Sequence, residues 1–230
     1  MKKISFFVLA LTATVLVNAQ NNKPTLRTEM EVTPRLGIKG GVNLAKMNAE
    51  GFSGSAEFDS KSKTSYNGGL FINIPVGTNF RFQPEVVYSS QGGRNSQLVQ
   101  TPTGSFTSNY EMDLNYINVP LMLQLQSTTG VFVELGPQFG YLINAKNKSN
   151  SNGAGSSNTE LNIKDQLNKL DIAAAGGIGY LSRIGLGINA RYNYGFTNVL
   201  DENNSNYVSG QKLRNRLYQI GLFYQFGAAK

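Results

Sequence analysis

Between residues 184 and 196 the chain reads IGLGINARYNYGF, in which every second residue is apolar and bulky: Ile184, Leu186, Ile188, Ala190, Tyr192, Tyr194 and Phe196. The alternate row holds Gly185, Gly187, Asn189, Arg191, Asn193 and Gly195. A period of two marks a β-strand whose two faces meet unlike surroundings. The same period predicts eight strands, near 35–45, 65–75, 80–91, 110–126, 131–145, 169–181, 184–196 and 213–227. Their bulky rows agree: Leu36, Ile38, Val42 and Leu44 in the first, Phe80, Phe82, Val86 and Tyr88 in the third, and Val131, Val133, Leu135, Phe139, Tyr141 and Ile143 in the fifth. The sixth adds Leu170, Ile172, Ile178 and Tyr180, and the eighth Tyr218, Ile220, Leu222, Tyr224 and Phe226.

The connections alternate in length. PVGTN, STTG and SR are short and have turn composition, whereas 46–64, 92–109, 146–168 and 197–212 are long and rich in Ser, Asn, Gly and charge. Tight turns at one end and long loops at the other are the pattern of an up-and-down transmembrane barrel. The polar row settles which solvent the apolar row meets. A water-facing row would be crowded with Lys and Glu and hold little Gly, but here Gly recurs at 136, 140, 177, 179, 185, 187 and 195 beside a few long ionic side chains, which suits a narrow interior. The expected fold is therefore all-β, an eight-stranded antiparallel up-and-down transmembrane β-barrel with its apolar row in lipid. It occupies residues 35–227, after a flexible periplasmic segment at 20–34.

Three prolines, Pro84, Pro120 and Pro137, fall inside these strands, where each removes a ladder donor and calls for a bulge or irregular pairing. In the fourth strand the outward row reads Met112, Leu114, Tyr116 and then Ile117, Val119, Leu121, Leu123, Leu125, a change of phase expected to need a bulge near Tyr116. Rings gather at both ends of the predicted span. Phe80, Phe82, Tyr180, Tyr224 and Phe226 lie toward the short turns, and Tyr88, Tyr141, Tyr192, Tyr194 and Phe196 toward the long loops, as two interfacial girdles require.

Composition narrows the chemistry. The opening MKKISFFVLALTATVLVNAQ has two lysines, an apolar run and small residues before Gln20, so residues 1–19 read as a secretory signal peptide cleaved near Ala19. That implies export to the outer membrane of a Gram-negative bacterium. The chain has no Cys, His or Trp. Ser-His-Asp hydrolysis, cysteine nucleophiles and the common zinc sites each lose a required member. No cofactor or metal site is expected.

At this point the motifs are familiar. RLGIKGGVNLAKM, RFQPEVVYSSQGG, YINVPLMLQL, LGPQFGYLINA and ARYNYGFTNV, in that order over 35–226, resemble the PorT-like outer-membrane β-barrel family of Bacteroidota. The resemblance implies an integral outer-membrane barrel and matches the three prolines. It leaves the activity open, since only the namesake group belongs to type IX secretion.

The interior row suggests one cluster. Arg81, Glu85, Glu134, Asp171 and Arg191 are expected to form a structural ion-pair network, with Arg35, Lys39, Glu111 and Asp113 in the same row. The functional reading makes Glu85 and Glu134 a paired-carboxylate site; the structural one has the charges filling a barrel just wide enough for side chains. The glycines of GIKGGVN and AAAGGIGY lack the lysine spacing of a phosphate loop. The net charge of +7 becomes +5 once Lys2 and Lys3 are removed, and its cations concentrate in the long loops: Lys46, Lys61, Lys63, Arg94, Lys146, Lys148, Lys164, Lys212, Arg214 and Arg216. With no nucleic-acid module beside them, these are expected to meet the bilayer and the phosphates of lipopolysaccharide. A last strand ending at Phe226 looks like the signal read by the outer-membrane insertion machinery. The expected function is a structural or surface-interaction barrel without catalysis. The alternatives are a small pore or secretion-accessory barrel and, less favoured, a membrane-embedded enzyme.

Overall fold

The computed structural model describes residues 33–51, 61–101, 104–152, 158–204 and 207–227, with the backbone alone at 95–101, 104–109, 150–152 and 158. The expected signal peptide, its expected cleavage site and most of the expected 20–34 segment lie outside these residues. Among the described residues nine strands form: β1 (Arg35–Glu50), β2 (Lys63–Pro75), β3 (Phe80–Thr101), β4 (Gly104–Gln126), β5 (Val131–Asn152), β6 (Asn158–Asn162), β7 (Leu170–Leu181), β8 (Leu186–Gly195) and β9 (Lys212–Gln225). All pairings are antiparallel, each of the eight long strands pairs with its neighbour, and β1 against β9 closes the cylinder from Gly37↔Gln225 to Glu50↔Lys212. The architecture is thus a closed eight-stranded antiparallel barrel. β6 is a short addition paired, among the described residues, to the outer part of β5 alone.

Two of the long connections contain more strand than their composition suggests. β3, β4 and β5 run for 22, 23 and 22 residues, about twice the 9–11 that cross a bilayer. Their outer halves pair beyond the cylinder: Gly93↔Met112 continues to Thr101↔Gly104, and β4 stays paired to β5 as far as Thr107↔Asn152. Residues 92–101 and 104–109 are therefore paired strand rather than irregular loop. Their polar sequence hid this, because it carries no sustained apolar alternation.

The barrel is apolar outside and polar within. Leu70, Leu135 and Leu222 are 63%, 67% and 60% exposed, whereas Glu85 and Arg191 are 2% and 3% exposed. Three cross-strand pairs show how so narrow a lumen is filled. Gly37 faces Phe71, Gly179 faces Phe132, and Gly187 faces Phe223. A Cβ at Gly37, Gly179 or Gly187 would lie 2.1, 2.3 or 2.1 Å from the opposite ring, so each glycine makes the room its partner occupies. Phe223 meets both other rings edge-on, at centroid distances of 5.9 and 6.0 Å, and the trio packs the interior toward the short turns. In those turns Gly130 and Gly185 adopt φ of 96° and 90°, values that side chains with a Cβ resist.

The prolines interrupt the ladder without shifting it. Pro84 stays in register with Leu121, Pro120 with Gln138, and Pro137 with Ala174. On its other side each proline leaves a gap: pairs are missing at 72–73 against β3, at 85–86 against β4 and at 121–122 against β5. A residue's N–H and C=O face one neighbour in an antiparallel sheet, so losing the N–H weakens one side only. The three gaps step diagonally across β2 to β5.

The register does shift between Asn115 and Tyr116, but the extra residue is Ile143 of β5, and β4 keeps one phase throughout. This corrects the outward placement of Met112, Leu114 and Tyr116. Leu114 and Tyr116 are buried inside, with Met47, Leu142, Ala145, Ile163, Leu167, Val199 and Leu213, and Met112 packs against them. The long-loop end of the lumen is stoppered by this apolar cluster, so there the inside-out rule lapses.

Candidate functional site

Arg191 of β8 is the hub of the interior. Its Nη1 and Nη2 donate to the two carboxylate oxygens of Glu85 at 2.9 and 2.8 Å, and its Nε donates to Glu134 Oε1 at 2.8 Å. Lys39 Nζ donates to Glu85 Oε2 at 2.9 Å. Two positive and two negative charges thus balance, and the side chains of Glu85 and Glu134 are wholly enclosed. Amides occupy the remaining lone pairs: Gln83 donates to Glu85 Oε1 at 2.8 Å and Gln124 to Glu134 Oε2 at 3.0 Å. Asn73 donates in turn to Gln83 and Gln124, both at 2.9 Å. Gly177, paired to both Glu134 and Arg191, leaves the space in which they meet; a Cβ there would come within 3.0 Å of Glu134 Oε1.

The structure brings together Glu85, Glu134 and Arg191, and adds Lys39. It places two of the expected members elsewhere. Arg81 lies at the short-turn mouth, where its Nε donates to Gln126 Oε1 at 2.5 Å. Asp171 lies toward the long loops and accepts from Asn215 Nδ2 at 3.1 Å, with its other oxygen unpartnered among the described residues. Both point inward as their period requires, but level along the axis depends on register and strand tilt, which one strand's period does not carry. Sequence reasoning also passed over the amides Asn73, Gln124, Asn67 and Gln219. Asn67 and Gln219 donate to Asn43 Oδ1 at 2.6 and 3.0 Å. Their signal was available, as amides on the lumen parity of their strands.

Chemically the cluster is saturated. Each carboxylate of the pair is held by cations and amides, and a general acid or base needs an oxygen free to reach substrate. What the geometry performs is the neutralisation of charge inside a membrane-embedded cylinder. A second charged group stands above, outside the membrane span. Lys63 contacts Asp113 and lies 3.5 Å from Glu111, Arg94 holds Glu111 at 3.0 Å, and Lys148 holds Asp113 at 2.7 Å. Burial opposes ionisation of Glu111, but the Arg94 hydrogen bond and the Lys63 charge outweigh it and hold the carboxyl below its ordinary value.

Near the short turns Phe80, Tyr180, Tyr224 and Phe226 are exposed and Phe82 half-buried; near the loops Tyr141, Tyr194 and Phe196 are exposed, and Tyr88 and Tyr192 half-buried. Tyr66 stacks on Tyr88 at 5.9 Å, and Tyr192 meets Tyr218 at 4.6 Å.

The family model for the outer membrane protein beta-barrel domain matches residues 18–201. No curated protein matches the sequence. Solved structures similar to this chain include Neisserial surface protein A, at 14% identity and a TM-score of 0.43, covering 83% of this chain and 97% of that one. The attachment invasion locus protein Ail of Yersinia pestis is similar at 14% identity and 0.43, covering 84% and 98%. Outer membrane protein W of E. coli is similar at 14% identity and 0.38, covering 86% and 100%.

Replacing Glu85 by Leu strands Arg191 and Lys39 without their shared partner, and breaking one side of a buried pair costs about 3–5 kcal/mol. We expect the E85L barrel to unfold at markedly lower temperature or urea concentration, followed by the loss of its fast-migrating unheated band. An unchanged midpoint would exclude Glu85 from the network.

Proposed function

We propose that this chain, which belongs to the outer membrane protein beta-barrel domain family, is a sealed surface barrel: it anchors in the outer membrane and presents its extended strands and loops to the outside without catalysis or conduction. The observation that carries this reading is the filled interior. The phenylalanine trio, the neutral Arg191 cluster and the apolar stopper follow one another along the lumen, and each is packed from protein side chains. Export by a signal peptide cleaved near Ala19, with the short turns in the periplasm, completes the orientation. The finer kinship with PorT-like barrels of Bacteroidota rests on the five motifs, and it supplies no observation in favour of a secretion role. In planar bilayers the folded mature chain should insert without conductance steps. Stable unitary steps that disappear on boiling would favour the pore instead.

Lipopolysaccharide is the partner this reading assigns to the outer rim. Many loop cations are already engaged: Arg214 with Glu50, Lys146 with Glu160, and Lys63, Arg94 and Lys148 within the Glu111–Asp113 group. Lys46 and Arg216 have no carboxylate partner among the described residues, Arg216 Nη1 donating instead to the backbone oxygens of Gly195 and Asn215 at 2.7 and 3.0 Å. They are paired across β1 and β9, lie on the outward parity and stand just beyond the tyrosine girdle. The Arg216 guanidinium lies 3.5 Å from the centroid of the Tyr194 ring, which holds it at headgroup level. Replacing both Lys46 and Arg216 by Gln should lower the lipopolysaccharide retained on purification and flatten the salt dependence of its binding. Retention equal to the parent at every salt concentration would remove this pair from the contact.

A further inference from the structure

At the short-turn mouth a cavity of about 500 Å³ is lined by Arg35, Arg81 and Arg183, by the turn at 127–130, and by Tyr180 and Ser182. Among the described residues no acidic side chain lines it. The cations of the enclosed lumen cluster, and those of the group around Glu111 and Asp113, come with carboxylates. None of the three arginines has a carboxylate partner among the described residues. Arg35 and Arg81 are close enough for their like charges to act on one another, an arrangement that costs free energy unless an anion lies between them. The local donors point the same way. Arg81 commits Nε to Gln126, which leaves both Nη groups for a ligand, and guanidinium carries no acceptor. Ser127 Oγ accepts from the backbone N–H and hydroxyl of Thr129 at 3.4 and 3.2 Å, so its own proton is free to donate.

We propose that this mouth is an anion site that takes a phosphate group through Arg35, Arg81 and Arg183, with the hydroxyls of the 127–130 turn as further donors. Forked guanidinium groups match the paired oxygens of phosphate, and three cations suit an anion with several oxygens better than a single carboxylate. The cavity has room for a phosphate bearing an organic substituent. Tyr180, in the exposed aromatic band, borders the same cavity, so it opens at the level where lipid headgroups lie. The phosphate therefore comes from a lipid headgroup or from a soluble phosphate, through the same contacts.

The test follows the Nε–H signals of Arg35 and Arg81 by nuclear magnetic resonance in the full mature chain, folded in uncharged maltoside micelles. It is titrated separately with inorganic phosphate, with short-chain phosphatidylglycerol and with chloride at matched ionic strength. Both signals should shift saturably while that of the enclosed Arg191 stays in place. A response to both phosphates marks a site open to soluble phosphate, and a response to the lipid alone marks a headgroup site. Arg183→Gln, in an exposed turn, and the Arg35→Gln/Arg81→Gln pair should each weaken binding about tenfold or more, as loss of a charged hydrogen bond does; the heat-dependent mobility of each variant reports that it is folded. No saturable shift with either phosphate, an equal shift with chloride, or parental affinity in a folded Arg183→Gln barrel would overturn the proposal.

Discussion

Hydrocarbon offers no hydrogen bonds, and the rest of this molecule follows from that. A strand that enters lipid must pair its backbone on both sides, because each unpaired group costs several kcal/mol there. The only sheet without an edge is a closed one, so β1 pairs with β9 over fourteen residue pairs, from Gly37↔Gln225 to Glu50↔Lys212. Closure in turn dictates the chemistry of the two faces. The outer one carries Leu, Ile, Val and rings because lipid touches it, and the inner one must hold whatever the circumference leaves room for. Where proline removes a donor, the ladder gives way on one side only and the barrel stays in register.

The interior is the second constraint. Eight strands enclose a space that side chains fill, and three solutions are used in turn. Rings pack into the gaps left by glycine at the Gly37, Gly179 and Gly187 pairs. Charges cancel around Arg191, with amides covering the remaining lone pairs. At the outer end, where the strands leave the membrane, an ordinary hydrophobic core returns, built from strand and loop residues together. Asn198 knits those loops, donating to Gln211 O at 3.1 Å and accepting from the N–H groups of Leu200 and Leu213 at 3.2 and 2.9 Å.

What a single sequence reveals tracks which solvent each face meets. Strand β8 was legible residue by residue, since lipid on one side and a narrow lumen on the other force the alternation. The outer halves of β3, β4 and β5 were not, because their polar composition resembles loop. Met112, Leu114 and Tyr116 misled for the converse reason: they are apolar because a local core lies inside, not because lipid lies outside. In the interior cluster Glu85, Glu134 and Arg191 share a level, but Arg81 and Asp171 do not. Parity along a strand gives the face, while height along the axis requires the register between strands, set by turns and by the bulge at Ile143.

The most direct measurement places a nitroxide at each position from 186 to 195 of the folded chain in a lipid bilayer, and compares relaxation by oxygen, which concentrates in hydrocarbon, with relaxation by a water-soluble nickel complex. The account predicts strong oxygen response at the even positions and weak response to both reagents at the odd ones. Nickel accessibility along the even positions, or an oxygen response on the odd row, would contradict it.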